Sequence, residues 1–433
     1  MKSCYWGFFC LIVVALSSLA VAQSSSTAAS DDHQVIQQLL QRVQQLETRL
    51  QEAEGREHTT QPPAVTAPMP MPSPVVTEMH EEGPSMLHAS EQPLHIRGYA
   101  DVGFFASPGA DNTPNSHSTF ALGQFNLFMT SRISSRAGVL AELVVEPDPS
   151  NGVGVDLERL LFNYSVSDSL NFSLGRYHSS IGYYNTAYHH SSWMQTTVER
   201  PFLFSFEDDG GILPIHNVGL SVNGALPSHR LGLHYVVEVG NGRTSRSRLD
   251  EAVQNAIDEN NRKSVNFGFY VQPERWPGLQ AGLSYYVDRL TPDPGSLFQN
   301  PASPFPMNVA VRPRIDESIV SAHVVYQTNH FEFLNEALMI SHDLNGYRSF
   351  RTPGFYSQVS RRWGQVRPYF RYQYVNANPY EPVFGDVGLR QGPTTGLRFD
   401  ISESSAFKAE YDRILVGGYN PTNAMATQVS FAF

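Results

Sequence analysis

Between residue 94 and the terminal Phe433 the chain repeatedly alternates apolar and polar side chains. Ile96, Gly98, Ala100, Val102 and Phe104 share one parity, and His95, Arg97, Tyr99 and Asp101 the other. Val139, Ala141, Leu143 and Val145 oppose Glu142 and Glu146, and Leu279, Ala281, Leu283, Tyr285 and Val287 oppose Gln280, Ser284 and Asp288. Val366, Phe370, Tyr372 and Tyr374 oppose Arg367, Arg371 and Gln373. Successive side chains of a strand point to opposite faces, so a period of two describes strands with one apolar and one polar side. The runs are separated by clusters of Gly, Pro, Asn and Ser, which turn a chain rather than extend it. An all-β fold is expected, and the open question is which face meets water.

A soluble sandwich hides the apolar face, whereas a membrane barrel shows it to lipid and lines its lumen with the polar one. Three features favour the barrel. Apolar faces often end in Phe or Tyr, as aromatic girdles at a membrane boundary require. Connections alternate between tight (131–136, 167–169, 227–229, 273–278) and long (182–217, 240–263, 291–314). The last run, Met425, Thr427, Val429, Phe431 and Phe433, ends on an aromatic of the apolar face. Composition agrees: charged residues are 16% and aromatics 12%, with 20 Tyr and 26 Phe. A net charge of −11 counts against a nucleic-acid partner. A mean hydropathy of −0.28 counts against a bundle of membrane helices. At about ten residues per strand with as much again in connections, residues 94–433 predict a transmembrane antiparallel β-barrel of about 16 strands. A barrel of that size is too wide for its own side chains to fill.

The first 93 residues read differently. Lys2, the apolar stretch from Phe8 to Leu16 and the small-x-small end Ala20-Val21-Ala22 form the pattern of a cleaved signal peptide over 1–22. Both cysteines, Cys4 and Cys10, fall inside it, so the exported chain would carry no thiol. Over 31–57 the residues Ile36, Leu39, Val43, Leu46, Leu50 and Ala53 recur at spacings of three and four, the seam of a short coiled-coil helix. A single amphipathic helix lying on the barrel or the membrane would give the same pattern. Eight prolines from Pro62 to Pro93 make 58–93 an extended linker, because proline removes the donors that helices and sheets need.

The chain's ending resembles the signal read by the outer-membrane barrel assembly machinery, with Phe433 as its terminal aromatic. Residues 354–363, Arg367-Pro368-Tyr369-Phe370-Arg371-Tyr372, Gly396-Leu397-Arg398-Phe399 and Phe407-Lys408-Ala409-Glu410-Tyr411 are similar to the closing hairpins of Gram-negative outer-membrane porins related to the phosphate-selective family. The resemblance spans roughly residues 95–433, and an N-terminal coiled coil recurs among trimeric porins. It implies a bacterial outer-membrane location, a homotrimer, and lipid and the assembly machinery as partners. Phosphate selectivity is not implied, since the chain is acidic and its candidate lumen arginines are few.

Candidate sites follow from parity. Arg97, Asp101, Glu142, Arg159, Arg367, Arg371, Arg398, Lys408 and Glu410 fall on polar faces and are candidate pore-lining residues, as are Glu146, Glu238, Asp288, Glu317 and Asp412. A one-residue bulge would swap any of them to the other face, and such charges can equally neutralise one another inside a closed barrel. The loop over 183–216 holds Trp193, Arg200, Phe202, Phe204, Phe206, Glu207, Asp208 and Asp209, more rings than a free external loop needs. Burying them in the lumen would make this a constriction loop. Packing on the rim or on a neighbouring subunit is the alternative. His189 and His190 beside Ser191 and Ser192 lack a fixed acid for nucleophilic catalysis, so no enzyme is expected. Asp148, Asn151 and Asp156 match no calcium-loop spacing, so no metal and no cofactor is expected. The leading expectation is a porin passing small hydrophilic solutes or ions. The alternative is a structural anchor whose N-terminal helix holds cell-wall peptidoglycan or a periplasmic partner.

Overall fold

The computed structural model describes residues 94–106, 118–147, 152–188, 192–207, 210–244, 253–254, 257–291, 314–344, 348–384, 387–417 and 420–433. The expected signal peptide, helix and linker lie outside the described residues, as do Asp148, Asn151, His189, His190, Ser191, Asp208 and Asp209.

Sixteen antiparallel strands close into one barrel. In chain order they are β1 (Leu94–Ala106), β2 (Thr119–Arg132), β3 (Ala137–Pro147), β4 (Val153–Ser167), β5 (Leu170–His178) and β6 (His216–Leu226). Next come β7 (Leu233–Gly240), β8 (Ser264–Val271), β9 (Leu279–Leu290), β10 (Ile315–Gln327) and β11 (Phe331–Leu344). The last five are β12 (Arg348–Arg361), β13 (Val366–Asn376), β14 (Leu389–Ser402), β15 (Ser405–Val416) and β16 (Thr422–Ala432). Each pairs with its neighbour in sequence, and β1 closes the ring against β16 with Ala100 opposite Phe431 and Val102 opposite Val429. Closure pairs both edges of every barrel strand, so the barrel itself offers no open edge to another chain.

At the seam, Phe433 exchanges both backbone hydrogen bonds with Gly98, at 2.7 and 2.9 Å. The Phe433 ring lies directly over Gly98, where any Cβ would run into it. Glycine there lets the terminal ring lie flat on the outer wall, beside Phe125 and Phe431.

Tight connections lie at one end of the barrel, including Asp168-Ser169 and Glu403-Ser404, and long ones at the other. The outward parity is apolar and uncovered: Leu160, Phe162, Leu174, Phe269, Leu283, Phe370 and Met425 are all exposed. The core is therefore inside the cylinder. On β10 and β11 several of the inward positions are apolar as well, with Ile319, Leu334, Leu338 and Ile340 buried. Something must cover them, because water does not favour an apolar wall.

Candidate functional site

What covers them is the chain between β5 and β6. Its neck is tied where Ser179 donates its amide to the Ile215 carbonyl at 2.7 Å. The Asn185 amide donates to the Ser179 carbonyl at 2.7 Å and to that of Ile215 at 3.1 Å. Gly182 then turns the chain inward at φ +78°, with Glu336 and the Phe204 ring packed where a side chain would stand. Few residues other than glycine adopt that φ, so the turn into the barrel depends on it.

The first leg gives its N–H groups to carboxylates. Ser180 donates its amide and hydroxyl to Glu238 on β7, the closest contacts being 3.0 and 2.8 Å. Tyr183 and Tyr184, at the start of the one-turn helix α1 (Tyr184–Ala187), donate their amides to the two oxygens of Glu336 on β11 at 2.5 and 2.9 Å. The Tyr356 hydroxyl on β12 donates to the same carboxylate at 2.6 Å. The helix thus begins on a carboxyl group, whose oxygens supply the acceptors its free amides need.

The second leg gives its carbonyls to cations. Lys408 on β15 donates to the carbonyls of Ser192 and Thr197, the latter at 2.9 Å. Arg398 on β14 donates to those of Trp193 and Gln195 at 2.7 and 2.9 Å. Arg371 on β13 donates to the Glu199 carbonyl at 2.9 Å and the Thr197 hydroxyl at 3.2 Å. Ser192 reaches Asp101 on β1 at 2.8 Å, and Trp193 stacks on Tyr99. A segment rooted between β5 and β6 that touches β7, β11, β13, β14, β15 and β1 has to cross the lumen. Of the rings expected to need burial, Phe204 and Phe206 are buried there and Trp193 and Phe202 half-buried, and Arg200 lies over both Tyr184 and Phe206.

The return leg ends on β6. Glu207 accepts from the His216 amide at 3.1 Å and lies 3.3 Å from its ring, whose other nitrogen is 2.8 Å from Glu158. Burial opposes ionisation of Glu207, but the His216 contacts outweigh it and hold the carboxyl below its usual range.

The candidate pore-lining residues all fall on the inward parity. Arg97 is exposed near the start of β1, whereas Glu142, Arg159, Arg371, Lys408 and Glu410 are buried. Arg159 pairs with Glu142 at 2.6 Å across a bulge in β4, and Asn126 donates to Glu142 at 2.8 Å. Arg367, Arg398 and Lys408 stand directly opposite one another on three neighbouring strands. Like charges in that position repel, and the loop carbonyls together with Asp400 are what they share. A basic row is therefore present, but it is turned toward the loop backbone. Glu410 accepts from the Val198 amide at 3.0 Å and the Tyr369 hydroxyl at 2.8 Å. It groups with Glu199 and Asp412, with one oxygen of each within 4.8 Å of the others, the donor set for a cation among the described residues.

Parity reading missed Glu332 and Glu336, because on β11 the inward row interleaves them with Leu334, Leu338 and Ile340, and neither face is uniformly polar. It singled out Glu317 but missed the cluster built around it near the long-loop end. There His342 on β11 lies between Glu317 on β10, 2.6 Å away, and Glu381 from the loop after β13. Arg243, from the loop after β7, pairs with the same Glu317 and donates to the Ile212 carbonyl at 2.8 Å. Three separate loops meet on this cluster, which no spacing along the chain could signal.

No family model and no curated protein matches the sequence. Solved structures do match. DcaP, an outer-membrane channel of Acinetobacter baumannii, aligns with a TM-score of 0.52 at 9% identity over 80% of this chain and 99% of that one. The trimer form of OmpT, an outer-membrane protein of Vibrio cholerae, gives 0.51 at 9% over 79% and 100%. An anion-selective porin from Comamonas acidovorans gives 0.50 at 12% over 79% and 100%. The chain has the porin fold. At such identities the likeness carries architecture alone, so neither the neighbours' selectivity nor their assembly passes to this barrel with it.

Proposed function

We propose that the protein is a bacterial outer-membrane channel for passive diffusion of small hydrophilic solutes, narrowed by the inward-folded loop. The observation that carries this reading is the loop itself, held by hydrogen bonds to charged side chains on both sides of a lumen too wide to be filled by its own wall. A barrel used only as an anchor has no need of a positioned partition. The uncovered apolar outer face suits lipid, and the polar inner parity suits water. On this reading Trp193, Arg200, Phe204, Glu207, Asp208 and Asp209 belong to a constriction, and the charged inner residues set its field. No step of chemistry is required.

The finer parts of the proposal rest on the sequence. Export would use the signal peptide over 1–22, and insertion would use Phe433 as the aromatic read by the assembly machinery. A homotrimer fits the OmpT neighbour, whose structure is a trimer form, and the heptad seam over 31–57. The relation to the phosphate-selective porin family belongs here too, without its substrate. That seam and its linker also favour a second role, tethering the membrane to peptidoglycan, which a conducting barrel can combine with transport. Purified protein in a planar bilayer tests the main reading: stepwise conductance supports it, and a silent, correctly folded barrel leaves the anchor.

A further inference from the structure

The loop leans on one side of the lumen, and the inner wall it leaves uncovered has a different chemistry. Toward the tight-turn end, the inward polar side chains of β4 to β9 are Asn163 and Ser165, Asn171 and Ser173, Asn223, His234, Tyr270 and Gln280, with the apolar Ala225 and Val236 between them. All are half-buried, open to the lumen while supported by the wall. On these strands the inward Glu238 and Asp288 lie toward the other end, where Ser180 and the Arg243 amide engage them, and Arg159 is paired to Glu142. The lower wall therefore contains no Asp, Glu, Lys or Arg among its described inward positions.

Its polar groups are ordered. Ser165 donates to Asn171 at 2.6 Å and Ser173 to Asn163 at 2.7 Å. Gln272 donates to Gln280 at 2.9 Å, which meets His323 at 3.2 Å. The His234 and Tyr270 rings stack nearly parallel with centroids 4.8 Å apart. These pairings fix the side chains in place yet leave donors and acceptors unused, since each amide carries two N–H groups and a two-lone-pair oxygen. A hydroxyl both donates and accepts, so a solute rich in hydroxyls matches this surface, while an ion finds no opposite charge on it.

We propose that this belt is a weak subsite that favours uncharged polyhydroxylated solutes of the saccharide class over ions of the same size. The inference rests on the channel reading and deepens it by naming the solute.

The test is isotopic flux through full-length protein in liposomes, using glucose, gluconate and glucosamine, three skeletons of matched size that differ in charge. Conductance in potassium chloride is measured on the same preparation. Glucose is expected to enter several-fold faster than either ion and to saturate, and Asn171→Asp is expected to raise glucosamine relative to gluconate. A conducting channel in which gluconate or glucosamine equals or exceeds glucose overturns the solute assignment. An Asn171→Asp protein with unchanged ratios removes the belt from the pathway. A folded barrel with no conductance overturns the channel reading itself, which keeps the two failures distinct.

Discussion

Two arcs of the same inner wall, built from strands of equal regularity, end in opposite states. On β10 to β15 the inward charges are many, and those that hold the loop are buried or half-buried: Glu336 is turned to the Tyr183 and Tyr184 amides, Arg371, Arg398 and Lys408 to carbonyls. On the lower part of β4 to β9 the side chains are uncharged and accessible to solvent. A charge on an inner wall therefore does not by itself face a channel. A buried charge is tolerated when hydrogen bonds replace its water, and here a loop backbone supplies them, amides on one side and mostly carbonyls on the other. The arc with the stronger electrostatics holds the partition, and the arc with the weaker is left for the solute.

The largest expected effect comes from removing the partition. Replacing residues 183–204 with a short Gly-Ser link should raise single-channel conductance several-fold, and a correctly folded variant with unchanged conductance would show that the loop does not narrow the path. It should also destabilise the barrel, because the apolar wall of Ile319, Leu334, Leu338 and Ile340 loses its cover; the urea midpoint is the measure.

Lys408→Met keeps much of the side chain's bulk and removes its charge. The Ser192 and Thr197 carbonyls then lose a donor, at a cost of about 1–3 kcal/mol for each group left unsatisfied. A lower urea midpoint and proteolysis near residue 192 are the expected results, and an unchanged pattern would mean that the second leg is held by packing alone.

Glu336→Gln sharpens the same point on the acidic side. Glutamine retains one acceptor oxygen for two amides and the Tyr356 hydroxyl, so the loss should be about 1–2 kcal/mol, read as a smaller midpoint shift and noisier open-channel current. If the shift equals that of a full Glu336→Ala deletion, the charge and not the geometry positions α1.

The smallest stability effect is expected on the other arc. Asn171→Asp should leave the urea midpoint within about 0.5 kcal/mol of the parent protein, since it lies on a solvated wall. The reversal potential in a salt gradient should move toward cation preference. A large stability loss there would erase the distinction between the arcs.

Much of this architecture was legible along the chain. Alternation at Ile96 to Phe104, Leu279 to Val287 and Val366 to Tyr374 fixed strands and their outward faces, because a two-residue period follows from backbone geometry alone. The alternation of tight and long connections set which loops share an end, and the ring content of 183–216 pointed to burial. β11 was less legible, since its inner face mixes Glu332 and Glu336 with aliphatic residues that pack on the loop, which blurs the contrast between the two faces.

What the sequence determined by itself is the two-sided strand, its approximate number and the need to shelter one aromatic loop. Only the tertiary structure decided where that loop lies, which charges it consumes and which stretch of wall it leaves bare. The reason is physical: parity is a local property of each strand. The partners of Glu336, Lys408 and Arg243 come instead from segments tens to hundreds of residues away, and closing the barrel is what brings them within hydrogen-bonding distance.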